Sequence, residues 1–171
     1  MSNSRQTNTH LANLFANNVC EILDKAKNNV KINRDRINTL YGELPYKNIN
    51  NIIITQSESG EEILLCVRNL WYSQQAYQNI PLDKAVDFFG ACKIINTLTQ
   101  KKCIGLILSR YQVSTELTNN LERENINSSV HKICCISNQN ENALLLELEY
   151  FLHMHGIYLY ESDGDAYMLG C

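Results

Sequence analysis

Seven cysteines, four histidines and a few clustered carboxylates are the side chains of this 171-residue sequence whose types could do chemistry. Thiolates are nucleophiles and ligands for soft metals. Cys20, Cys66, Cys92, Cys103, Cys134, Cys135 and Cys171 lie in apolar runs, and no pair has the C-x-x-C spacing of a zinc site. That placement predicts reduced, buried thiols acting as small hydrophobes in a reducing compartment. His131 with Cys134 or Cys135 could be drawn as a nucleophilic pair. Four residues of strand span about 13 Å, however, and nucleophilic cysteines favour helix N-termini or electropositive sites, so core packing is expected. His153 and His155 flank Met154 at a helix end. Residues two apart on a helix project about 200° apart, so these rings are expected to cap the helix or face solvent rather than share a metal. Glu161, Asp163 and Asp165 surround Gly164; a calcium loop needs further oxygen ligands ending in a bidentate glutamate, and a hairpin turn is the expected reading. Trp71, Tyr72 and Tyr77 follow Arg68 in a polar stretch. Such a group can pack over a sheet edge, form a protein interface or stack on bases. No cofactor and no metal are implied.

The elements that must position these residues are read from apolar periodicity. Residues 1–8 form a polar tail, and 9–171 a single α/β domain. Leu11, Leu14, Phe15, Val19, Ile22, Leu23 and Ala26 recur at helical spacing. Residues 30–48, with Pro45, read as an irregular or short helical connection. Ile52–Thr55 and Ile63–Val67 read as a hairpin around Gln56–Gly60, apolar at consecutive positions and so buried on both faces. Residues 69–80 read as a loop. Pro81 and Asp83 open a helix with the stripe Ala85, Phe88, Phe89, Cys92 and Ile95. Cys103–Leu108 is the strongest strand signal. Ser114 is placed to cap a short helix carrying Leu117 and Leu121, His131–Ile136 is a further strand, and Leu144–Leu152 marks a last helix ended by Gly156. Asp163-Gly164 signals a terminal hairpin. The order α-β-β-α-β-α-β-α argues for a mixed sheet with helices packed on it.

The net charge of −3 gives no basic surplus for phosphate contacts. With 44% hydrophobic residues the chain can build one core. The frequent asparagines read as composition bias of the source genome. The polar N-terminus lacks an apolar signal core, and no run approaches the roughly 20 residues of a membrane span. A cytoplasmic protein without membrane insertion is expected.

Four features in order resemble the restriction-endonuclease-like fold, the PD-(D/E)XK superfamily, in its Mrr-like branch. They are the opening helix with Leu14-Phe15, the hairpin strand Ile63-Leu64-Leu65-Cys66-Val67-Arg68, the helix Val86-Asp87-Phe88-Phe89-Gly90-Ala91, and the strand Lys101 through Ser109 with its following helix. The likeness covers about residues 10–136. It implies a mixed sheet flanked by helices. It also implies divalent metals held by an acid on each hairpin strand, with a lysine two residues after the second acid. Here the corresponding positions hold Ala16 on the helix, Asn51, Cys66 and Arg68. A register at Glu61/Glu62 instead places the acids in the turn and Leu64 or Leu65 at the lysine position. A thiol is a poor magnesium ligand and arginine is a fixed cation, so metal-dependent hydrolysis is expected to be lost.

The expected function is therefore a non-catalytic, protein-binding subunit on a degenerate nuclease-like fold. Arg68, Trp71, Tyr72 and Tyr77 are the interaction candidates, and homo-oligomerisation stays open. Two alternatives stand beside it. One is a nucleic-acid-binding module gathering Arg34, Arg36, Lys47, Arg68, Lys101, Lys102 and Arg110. The other is a metal-dependent nuclease with acids recruited from Glu21, Glu58 or Glu62.

Overall fold

The computed structural model describes residues 2–26, 30–31, 49–56, 59–70, 78–128, 131–157 and 159, with backbone alone for 2–8, 30, 31 and 56. The elements run α1 (Ser2–Asp24), β1 (Val30–Lys31), β2 (Asn51–Gln56), β3 (Glu62–Leu70), α2 (Leu82–Thr99), β4 (Lys102–Ser109), α3 (Thr115–Ile126), β5 (His131–Ser137) and α4 (Glu141–Met154). The strands form one sheet in the order β1-β2-β3-β4-β5. β2 is antiparallel to both of its neighbours, and β3, β4 and β5 are mutually parallel. This is the mixed α/β architecture expected from the order of elements.

Each face of the sheet carries its own core. On one face, Leu64, Cys66, Cys103, Ile107 and Ile133 pack against Phe88, Phe89, Cys92 and Ile95 of α2 and Leu117 of α3. On the other, Ile53, Leu65, Val67, Ile104, Leu106 and Ile136 pack against Phe15, Val19 and Leu23 of α1 and Leu144, Leu148 and Leu152 of α4. Alternate residues of β3 and β4 thus enter opposite cores. That is why both strands are apolar at consecutive positions, as central strands of a two-sided sheet must be. Both crossover helices, α2 and α3, lie on one face, as parallel neighbours joined with a single hand require.

Local chemistry sets the ends of the elements. Ser114 Oγ accepts the Leu117 N–H at 3.1 Å and caps α3. α2 starts after Pro81 without a side-chain cap, with Asp83 in its first turn favoured by the dipole. It ends on Gln100 in the left-handed region (φ 54°), and Asn96 Nδ2 donates to the Lys101 carbonyl at 2.9 Å. These contacts fix the two-residue turn that feeds β4. Gly156 (φ 71°) follows α4 as expected.

Several expectations change. α1 begins at Ser2, so the stretch read as a polar tail is helical; a helix nucleated on the apolar stripe propagates through it one hydrogen bond per residue. Leu11 and Leu14 of that stripe are 40% and 46% exposed. The connection read as irregular contributes β1, which pairs with Ile53 and Ile54. Asn69 and Leu70 extend β3 beyond the expected strand end, paired with Leu108 and Ser109. The expected terminal hairpin, with Glu161, Asp163 and Asp165, lies outside the described residues. Among the described residues, no helix is long and apolar enough to cross a membrane.

Candidate functional site

The hairpin divides the positions singled out by the resemblance between the two faces. Asn51 pairs with Val67, whose side chain enters the α1 face, and Asn51 Nδ2 donates to Cys20 Sγ of α1 at 3.1 Å. Cys66 enters the α2 face and is fully buried. Arg68, two residues on, shares the Cys66 side by strand alternation and is half-buried. Asn51 therefore does not meet Cys66 and Arg68 at one point. Ala16 is half-buried on α1. In the alternative register, Glu61 and Glu62 sit exposed at the turn, ion-paired to Lys102 (3.4 Å) and Lys101. Glu62 lies at the far end of the hairpin from Asn51, since it pairs with Gln56. Glu21 is exposed on α1, while Glu58 lies outside the described residues. So do Trp71, Tyr72 and Tyr77, and so do Arg34, Arg36 and Lys47.

What the fold does bring together is a group of three thiols. Cys66 of β3, Cys92 of α2 and Cys103 of β4 place their sulfurs within 4.8 Å of one another, all buried. Cys66 Sγ and Cys103 Sγ stand 3.8 Å apart. Register explains the first pair: Cys103 pairs with Leu64, so Cys66 is its diagonal neighbour on the same face. Gly105 explains the third member. It pairs with Cys66, and a Cβ there would stand 2.8 Å from Cys92 Sγ. The missing side chain is the space into which the Cys92 sulfur fits. Cys66, Cys92 and Cys103 are buried, as expected, whereas Cys20, Cys134 and Cys135 are half-buried, and all six described cysteines are free. The convergence of the first three was missed, because 26 and 11 residues of chain separate consecutive members and no short spacing marks them. A glycine inside the strongest strand, opposite a helix cysteine, is the signal that could have found it.

The three thiols share protons unequally. Hydrogen bonding from Cys66, then from Cys92, holds the Cys103 thiol well below the ordinary range against the opposing effect of burial. The same bonding to Cys103 is the largest cause pushing Cys66 and Cys92 up.

His131 stands beside Cys103 as its register partner across β4 and β5. By alternation it shares the face of Ile133, the α2 face. Ser128 Oγ holds its Nδ1 and accepts its backbone N–H at 3.2 Å. Its Nε2 is buried with no hydrogen-bond partner among the described residues. Burial pushes the ring below the ordinary imidazole pKa, favouring the neutral form. Cys103 and His131, with Lys102, Lys132 and His155, line an open pocket of about 590 Å³ at the edge where β4 and β5 begin. The thiol group therefore lies against a surface opening. His153 is exposed at the end of α4, and His155 sits past it with Nδ1 2.9 Å from the Phe151 carbonyl, the capping role expected of this pair.

A second feature lies on α4. Its inner row Leu144, Leu148 and Leu152 is fully buried, whereas Leu146, Tyr150 and Met154 on its outer side are 66%, 65% and 62% exposed. These three lie on one i, i+4, i+8 row of the helix, bordered by Glu147 and Glu149.

Compared with protein-family models, with curated proteins and with solved structures, the chain matches none. Its function is argued from these sites.

Proposed function

We propose that this chain is a non-catalytic, protein-binding subunit built on a nuclease-like α/β/α core. The observation that carries the reading is the outer row of α4, Leu146, Tyr150 and Met154. Three large apolar side chains at one-turn spacing are the anchors of a helix that docks into an apolar groove. The partner is accordingly a protein offering such a groove, with the tyrosine hydroxyl at its rim. The nuclease-like part rests on the order of elements and on the mixed sheet. The non-catalytic part rests on the groups at the corresponding positions: an amide with one neutral oxygen, a thiol that is a poor ligand for a hard divalent cation, and a guanidinium that is no ligand at all. The nucleic-acid reading gains no support from Lys101 and Lys102, since both cations are paired to the turn glutamates.

The test compares the wild-type chain with a Leu146→Lys, Tyr150→Lys double variant. Both are used to capture partners from the source cells and are measured by light scattering. A protein bound by the wild type and lost by the variant, with circular dichroism unchanged, supports the reading. Equal capture by both, or a monomer that captures nothing, overturns it. Calorimetry with magnesium and manganese tests the non-catalytic part: a tight site coupled to cleavage of DNA or RNA would sink it.

A further inference from the structure

We infer that Cys66, Cys92 and Cys103 form a binding site for one thiophilic d10 cation, zinc, with His131 Nε2 as the fourth ligand. The site goes beyond the protein-binding reading and stands independently of it.

Four observations converge. The first is distance. A tetrahedral zinc with Zn–S bonds of about 2.3 Å holds its sulfurs about 3.8 Å apart, and Cys66 and Cys103 already stand at 3.8 Å with Cys92 inside the same 4.8 Å group. The second is the space left by Gly105, which lets a helix sulfur reach two strand sulfurs. The third is His131. Its Nε2 is buried and without a hydrogen-bond partner among the described residues. Ser128 Oγ lies on Nδ1, the kind of outer contact through which ligating histidines are oriented; the ring nitrogens stand outside the 4.8 Å group of sulfurs, so the ring has to move toward them as the metal binds. The fourth is access, since Cys103 and His131 both line the edge pocket. Three thiolates and a neutral imidazole would leave the buried zinc centre with one net negative charge, and Lys132 on the pocket wall has the sign to balance it, Lys102 beside it being paired to Glu61. Thiols still protonated release their protons to solvent as the sulfurs bind. A soft donor set of this kind selects zinc or cuprous copper over magnesium, calcium or manganese.

The experiment uses the full chain, reduced and stripped of metal with a chelator, then titrated with cobalt(II) as a spectroscopic probe. The expected result is a sulfur-to-cobalt charge-transfer band and the visible bands of a tetrahedral thiolate site, saturating at one equivalent and displaced by zinc. Cys103→Ser and Cys92→Ala are each expected to abolish the bands. His131→Gln should weaken binding at least ten-fold and shift the visible bands. A Cys134→Ser, Cys135→Ser control should bind like the wild type. Zinc should raise the melting temperature of the stripped wild type, a readout that needs no variant to fold. No cobalt spectrum in the wild type overturns the site, as does a spectrum that survives Cys103→Ser or disappears in the control. A wild-type spectrum unaltered by His131→Gln overturns the fourth ligand alone.

Discussion

Gly105 has no side chain, and that absence is what permits a helix and two strands to share one sulfur group. A methyl there would meet Cys92 Sγ at 2.8 Å and Phe88 Cε1 at 3.2 Å. Cys92 cannot retreat far, because α2 is anchored to the sheet by Phe88, Phe89 and Ile95 on either side of it. Gly105→Ala is therefore expected to destabilise the fold by about 1–3 kcal/mol, the usual cost of overpacking, as read by urea unfolding. In a strand, alanine would otherwise be slightly favoured over glycine, so a neutral or stabilising result would show that the close approach of Cys92 is not maintained. Cys135 illustrates the opposite environment. Burial pushes its thiol up to about 12, so it is expected to resist alkylation by iodoacetamide at pH 8 in the folded protein and to react only after unfolding, as followed by mass spectrometry of peptides.

At the level of elements, the sheet depends on how its outermost parallel strand is closed. β5 has β4 on one side and, among the described residues, no strand on the other. Asn125, near the end of α3, covers part of that open side. Its Nδ2 donates to the Ile133 carbonyl and its Oδ1 accepts the Ile133 N–H, both at 2.8 Å. The amide thus imitates one rung of a further strand and blunts an edge that would otherwise recruit another chain. Asn125→Ala removes both bonds and is expected to cost about 1–3 kcal/mol. The Ile133 amide should then exchange with solvent faster, while amides of β3 remain protected. Uniform loss of protection across the sheet would mean that α3 and β5 fold as one unit with the core.

For the whole molecule, α4 separates two roles on one helix. Its inner row closes the core over α1 and the sheet, and its outer row faces away. Leu148→Ala is expected to lose about 2–5 kcal/mol through the cavity it leaves. Tyr150→Ala should stay within about 0.5 kcal/mol, as exposed positions do, while altering association. Chemical unfolding of the two variants, beside light scattering, separates the roles; a Tyr150→Ala loss as large as that of Leu148→Ala would place the outer row in the core.

Much of this architecture was legible in the linear chain, because burial imposes periodicity. The stripe of α2, the buried strands β3 and β4, the Ser114 cap and the end of α4 at Gly156 all follow from local rules that act over a few residues. Two-residue β1 carries too few positions to show a period, and the helical start of α1 has no apolar face to announce it. Burial of Cys66, Cys92 and Cys103 was equally legible from the apolar runs around them, whereas Cys20, Cys134 and Cys135, in similar runs, are only half-buried. Which cysteines meet was decided only by tertiary structure: by the β3–β4 register, by the rotation of α2 that turns Cys92 toward the sheet, and by the space at Gly105. Sequence spacing reports neighbours along one element, whereas a ligand set drawn from two strands and a helix exists only once those elements have packed.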